Sequence, residues 1–182
     1  MTSDTFWVDE FDRKANQPSM WRVVADELVI AGDLLARVFK RVDSMDLLSR
    51  NTMPKELRLR GPILLLRAAA MEALLKGRAV RRGYKFVVAG KFRPIPNTGN
   101  GHDLVLIAKE TKFRLTPSEQ DLLSRLTAYL ELARFPVGRV WQAGLKKDAR
   151  RGGHVVAGFY SAEDERFVKR LIERLRRATR VR

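Results

Sequence analysis

Cysteine is absent from the 182-residue chain, so neither a disulfide framework nor a thiolate metal site can form. Histidine occurs only twice, as His102 and His154, and in no His-x-x-x-His spacing. A zinc site would have to be built largely from carboxylates, and the sequence predicts neither a metal nor a cofactor. Long apolar runs are missing too. The longest, from Pro62 to Leu75, is interrupted by Arg67 and Glu72 and is too short and too charged to span a bilayer. The first ten residues are acidic and carry no apolar signal segment, so a soluble, cytoplasmic protein with no membrane partner is expected. No internal repeat or low-complexity tract is visible, and the length fits a single domain with a proper core. The last deficit is in acid: 21 Asp and Glu stand against 36 Lys and Arg, a net charge of +15. That imbalance favours a polyanionic partner, nucleic acid first and an acidic protein or membrane surface second.

What is present is helical periodicity. Apolar residues recurring every three to four positions predict five helices in an all-α bundle with two long irregular loops. The first runs from about Pro18 to Val42, with Trp21, Val24, Leu28, Ala31, Leu35 and Val38 on one stripe. The second, about Pro62 to Val80, is apolar on nearly all sides and is expected to be central. The third is the short His102–Glu110. The fourth opens on Thr116-Pro117-Ser118-Glu119, the signature of a capping box, and ends near Arg134. The fifth starts at Ser161, with Asp164 three residues on as a second capping pattern, and carries Phe167, Leu171, Ile172 and Leu175. Residues 1–17 read as an arm whose Phe6, Trp7 and Phe11 pack onto a single domain spanning 18–182. The loops are 81–101, within which "YKFVVAG" reads as a short strand, and 136–160.

Basic residues gather in three places. Lys76, Arg78, Arg81, Arg82, Lys85, Lys91 and Arg93 follow one another with no acidic residue between them. Tyr84, Phe86 and Phe92 are interleaved, which suits neutralisation of a phosphate backbone with stacking of bases, or equally a solvated loop whose aromatics anchor it to the core. Arg139, Lys146, Lys147, Arg150 and Arg151 form the second group. The third, "RLRRATRVR", lies at a helix C-terminus, where cations complement the macrodipole. The glycines at 83 and 90 lack the spacing and the following Ser or Thr of a phosphate-binding loop.

His102 and Asp103 sit at a predicted helix start. The positive end of the dipole disfavours imidazolium there, so a neutral ring able to act as a base is one reading. Tying the preceding Gly-Asn-Gly turn to the helix is the other. Glu72 and Lys76, four apart, can meet on one helix face. Arg134, just before Phe135-Pro136, can hold terminal carbonyls, a carboxylate such as Glu72 or Asp103, or an anion.

"MEALLKG" (71–77), "GHDLVLIAKE" (101–110) and "LLSRLTAYLELARFPVG" (122–138), in that order, resemble the HEPN family (higher eukaryotes and prokaryotes nucleotide-binding), in its branch with a His-Asp-Leu helix start and a late Arg-Tyr-Pro. The resemblance covers roughly residues 20–140. It implies a helical bundle that forms homodimers and serves RNA cleavage, RNA or nucleotide binding, or bacterial defence and toxin–antitoxin systems. It singles out Glu72, Lys76, His102, Asp103 and Arg134 as one polar set. Active ribonucleases of the family carry Arg four to six residues before His; here Arg93 leaves eight between itself and His102, and Phe135 replaces the tyrosine. Three readings follow: an RNA- or nucleotide-binding module using the 76–93 segment, a metal-independent ribonuclease with His102 as base and Arg134 or Arg93 stabilising charge, and an interaction module partnering a nucleotidyltransferase.

Overall fold

The computed structural model describes residues 3–43, 59–98, 101–132, 145–147, 154–156 and 162–180. Within them the chain is a helical bundle. Its helices are α1 (Ser3–Ala15), α2 (Pro18–Asp43), α3 (Arg60–Arg81), α4 (Leu104–Glu110), α5 (Pro117–Leu132) and α6 (Ala162–Thr179). Two small antiparallel pairs complete it: β1 (Val87–Val88) with β2 (Lys91–Phe92), and β3 (Leu145–Lys147) with β4 (His154–Val156). Strand β1 falls in the stretch expected to hold a strand, and its partner β2 lies just past it. The β3–β4 pair falls inside the stretch read as an irregular loop.

Helix α3 is the axis of the bundle, packing against α2, α4, α5 and α6. Its near-uniform apolarity has that cause: Leu64, Ala68, Ala70, Met71, Leu74 and Leu75 are completely buried on its different sides. Gly77 lets the start of α2 come close, since a Cβ there would stand 3.1 Å from Trp21 Cβ and 3.3 Å from the Pro18 carbonyl oxygen. The capping box of α5 forms as its sequence predicts. Thr116 N–H donates to Glu119 Oε2 at 2.8 Å, and Glu119 N–H to Thr116 Oγ1 at 3.3 Å.

Two expectations are corrected. Residues 3–17 are a helix and a turn rather than an irregular arm, and Phe6, Trp7 and Phe11 do not pack inward: they are 58%, 64% and 51% exposed. Polar groups dock α1 instead. Asp12 accepts from the N–H groups of Ala89 (2.8 Å) and Gly90 (2.9 Å), and the Asn16 amide bonds both Phe86 N–H (2.7 Å) and the Val87 carbonyl (2.7 Å). Helix α1 thereby fixes the hairpin that carries Lys91 and Phe92. The Ser161 end of the predicted Ser161–Asp164 cap lies outside the described residues; the Asp164 carboxylate holds Arg125 of α5 at 2.7 and 3.2 Å.

Two arginines are buried as structural ions. Arg67 on α3, 1% exposed, donates to Asp33 of α2 (2.6 Å) and Glu165 of α6 (2.9 Å), clamping three helices. Arg125 joins Asp121 (3.1 Å) and Asp164 (2.7 Å). Burial would lower the Arg125 pKa, but hydrogen bonds and charge from Asp164 and Asp121 outweigh it and raise the value.

Candidate functional site

Three members of the polar set singled out in the sequence, Glu72, Lys76 and His102, come together. Glu72, on α3, pairs with Lys76 one turn later and accepts from His102 Nδ1 at 3.0 and 3.1 Å. An ionised carboxylate can only accept, so this contact fixes the proton on Nδ1. Lys76 Nζ also lies over the Trp21 ring, 5.7 Å from its centroid, so its charge meets a carboxylate on one side and a π face on the other. All three polar side chains are largely sheltered, with His102 the most open at 19%.

The position of His102 is corrected by one step. Asp103 is the N-cap of α4, accepting from Val105 and Leu106 N–H at 3.0 Å each, and His102 precedes the cap. Gly101, at φ +80°, turns the chain into it, and Thr127 of α5 accepts the Leu104 N–H at 3.1 Å. Asp103 thus serves the helix end, and His102 ties that end to α3. Arg134 lies outside the described residues, as do Arg139, Arg150 and Arg151.

The basic run of 76–93 divides. Helix α3 ends on Arg81, with Arg82 as C-cap and Gly83 in the left-handed region at φ +91°. Gly83 N–H returns to the Val80 carbonyl (2.8 Å) and Tyr84 N–H to that of Ala79 (3.0 Å), a Schellman closure that halts the helix and aims its last turn outward. Arg78, Arg81 and Arg82 emerge there and line an open cleft of about 510 Å³ together with Ala178 of α6. Arg78 donates to the carbonyls of Thr111 (3.1 Å) and Lys112 (3.2 Å) beyond α4, and Arg81 to that of Ala178 (2.9 Å) near the end of α6. None of the three forms an ion pair among the described residues. Arg78 titrates below its ordinary value, first because it is partly desolvated and then because the charges of Arg82 and Arg81 repel its own.

Three helix ends therefore face three guanidinium groups. Each macrodipole contributes about half a negative charge, roughly 1.5 in all against three full positive ones. The cluster remains net cationic, and among the described residues no carboxylate lines this cleft. A second cleft of about 380 Å³ shares Arg82 and is walled by Ala79, Tyr84, Ile95, Pro96 and Glu110.

Lys85, Lys91 and Arg93 are exposed on or beside the hairpin and line neither cleft. The interleaved aromatics have different fates. Phe86 is fully buried and packs against Trp21 (5.1 Å between ring centroids) and Tyr84 (4.9 Å). Tyr84 donates its hydroxyl to the carbonyls of Arg93 (3.2 Å) and Pro94, fastening the strand exit; burial pushes its phenol pKa up, with Arg93 opposing. Phe92, 56% exposed, stacks one face on Phe86 at 6.0 Å. Two of the three anchor the loop, and one is open to solvent.

Two of the five terminal arginines are committed as well. Arg174 pairs with Glu119 and donates to the Arg114 carbonyl, while Arg176 bridges Asp26 at 2.7 Å and Glu173 at 2.5 Å. Among the described residues no group of three or more His, Cys, Asp or Glu gathers as a metal ligand set, and no helix is long and apolar enough to cross a membrane. No protein-family model, curated protein or solved structure matches this chain.

Proposed function

We propose that the chain is an RNA-binding module whose principal anion site is the Arg78, Arg81 and Arg82 cleft. One observation carries the reading: three guanidinium groups converge on an open cleft with no carboxylate among them. Elsewhere Arg67, Arg125, Arg174 and Arg176 all meet carboxylates. Guanidinium forks match phosphate oxygens, and an incoming phosphate would relieve the mutual repulsion already felt by Arg78. The second cleft, which shares Arg82, offers Ala79, Ile95 and Pro96 to a base or sugar, and the exposed Phe92 offers a stacking face on the hairpin. This use of the HEPN resemblance keeps binding and sets cleavage aside. His102 is held by Glu72 near the start of α4, whereas Arg78 grips the carbonyls past its other end, about 10 Å away along a seven-residue helix.

The experiment is a titration of labelled single-stranded RNA at several salt concentrations, with EDTA present. Binding should weaken steeply with salt, log K falling by about 0.7 per phosphate neutralised for single strands. The RNA should be recovered intact. A flat salt response, or no binding at low salt, removes the nucleic-acid reading, and cleavage lost in His102→Ala would restore the ribonuclease.

A further inference from the structure

The cleft of about 380 Å³ beside the arginine cluster is lined by one carboxylate, that of Glu110, in otherwise apolar, cationic or already bonded surroundings. The Tyr84 hydroxyl donates to the carbonyls of Arg93 and Pro94, and the Thr111 hydroxyl donates to that of Ala108 at 3.1 Å. Arg82 and Glu110 are then the two lining side chains whose polar groups bond nothing among the described residues, each other included. A mostly apolar cleft with a few open polar groups is the usual build of a site that orients a small ring.

Glu110 stands where helix stability does not favour it. It is the last residue of α4, at the negative end of that helix, where a cation is preferred and a carboxylate is repelled. No Lys or Arg of the described residues pairs with it, although the chain holds 36 of them against 21 Asp and Glu. What suits an exposed, unpaired carboxylate in that position is a ligand that donates hydrogen bonds to it.

We infer that this cleft selects guanine, with Glu110 as the residue that reads the base. This rests on the RNA-binding reading: phosphate lies against Arg78, Arg81 and Arg82, and the adjoining base enters the cleft that shares Arg82. An ionised carboxylate has two oxygens and only accepts. Of the four RNA bases, guanine alone presents two neighbouring donors, N1–H and the N2 amino group, on its Watson–Crick edge. Adenine and cytosine each place an amino group beside a ring-nitrogen acceptor, and uracil places its one N–H between two carbonyl oxygens. In those three an acceptor lone pair is set against the carboxylate. Unstacked bases of single-stranded RNA are read on this edge, while Ala79, Ile95 and Pro96 give the ring apolar contact.

Fluorescence anisotropy of three labelled oligouridylates tests it, each carrying a single central guanosine, inosine or adenosine. The guanosine RNA should bind about tenfold or more tighter than the adenosine RNA, the discrimination expected of one bidentate pair. Inosine, which keeps N1–H and lacks the N2 amino group, should fall between them. Glu110→Gln should erase the difference, because its amide sets a donor against the guanine donors. It should bind the adenosine RNA no more weakly than the parent and keep the parent's Tm, since residue 110 is exposed. Arg81→Ala, which alters the arginine cleft alone, should weaken all three RNAs by one factor and keep their order. Equal binding of the three RNAs with a steep salt response overturns the guanine inference and leaves RNA binding standing. A guanosine preference that survives Glu110→Gln overturns it too, placing the base contact elsewhere. Failure of all three RNAs to bind at low salt removes the RNA-binding reading, and this inference with it.

Discussion

Helix α3 carries two polar clusters little more than a turn apart, and they differ in how their charges are met. Around Glu72, every charge has a counterpart: carboxylate to ammonium, carboxylate to imidazole, ammonium to an indole face. At Arg78, Arg81 and Arg82, like charges are crowded together, met by carbonyl oxygens and, for Arg78, by the Phe113 ring 5.5 Å away, with no carboxylate paired to them among the described residues. The first arrangement is complete within the fold; the second is improved by an anion. Sequence motif and exposed charge thus point to different places, and the difference in partners is what favours the arginine cleft in the proposed reading.

The contrast breaks hardest at the arginines that are paired. Arg125→Ala strands the buried carboxylates of Asp121 and Asp164, and about 3–5 kcal/mol of stability should be lost in urea denaturation. RNA affinity of the surviving folded fraction should not change. At the unpaired cluster the pattern inverts. Arg81→Ala with Arg82→Ala should weaken RNA binding by about 100-fold or more at low salt and lower the salt slope, with thermal stability unchanged or slightly raised. His102→Ala sharpens the comparison, because it removes a hydrogen bond from a carboxylate that keeps Lys76. About 1 kcal/mol of stability should go, read by denaturation, and RNA affinity should hold. Asp103→Ala, which deletes only the α4 cap, should cost about 1 kcal/mol or less by the same measure.

Much of this organisation was legible in the sequence. Periodicity and the Thr116–Glu119 capping box placed α2, α3, α5 and the start of the last helix to within a few residues, because those elements bury an apolar face. The pairing of Glu72 with Lys76 followed from their spacing, and His102 and Asp103 were placed at a helix start, one step early. Helix α1 was not, since its aromatic residues face solvent and its anchors, Asp12 and Asn16, are polar groups that leave no periodic trace. Its Trp7, Phe11 and Ala15 at steps of four were the available signal. Arg67 looked like an interruption of an apolar run; only the fold brings Asp33 and Glu165 to it, from distant parts of the chain. The basic run read as one patch because sequence shows adjacency and not direction. The Schellman turn at Gly83 separates the three cleft arginines from the hairpin lysines. Phe86, read equally as stacking platform or anchor, is an anchor.

The central claim is tested most directly by titrating one RNA against the charge-reversed cleft, Arg81→Glu with Arg82→Glu, and against His102→Ala in parallel. Loss of binding in the first with parent-like binding in the second is the predicted result. Parent-like binding by the charge-reversed cleft, or loss of binding confined to His102→Ala, would contradict it.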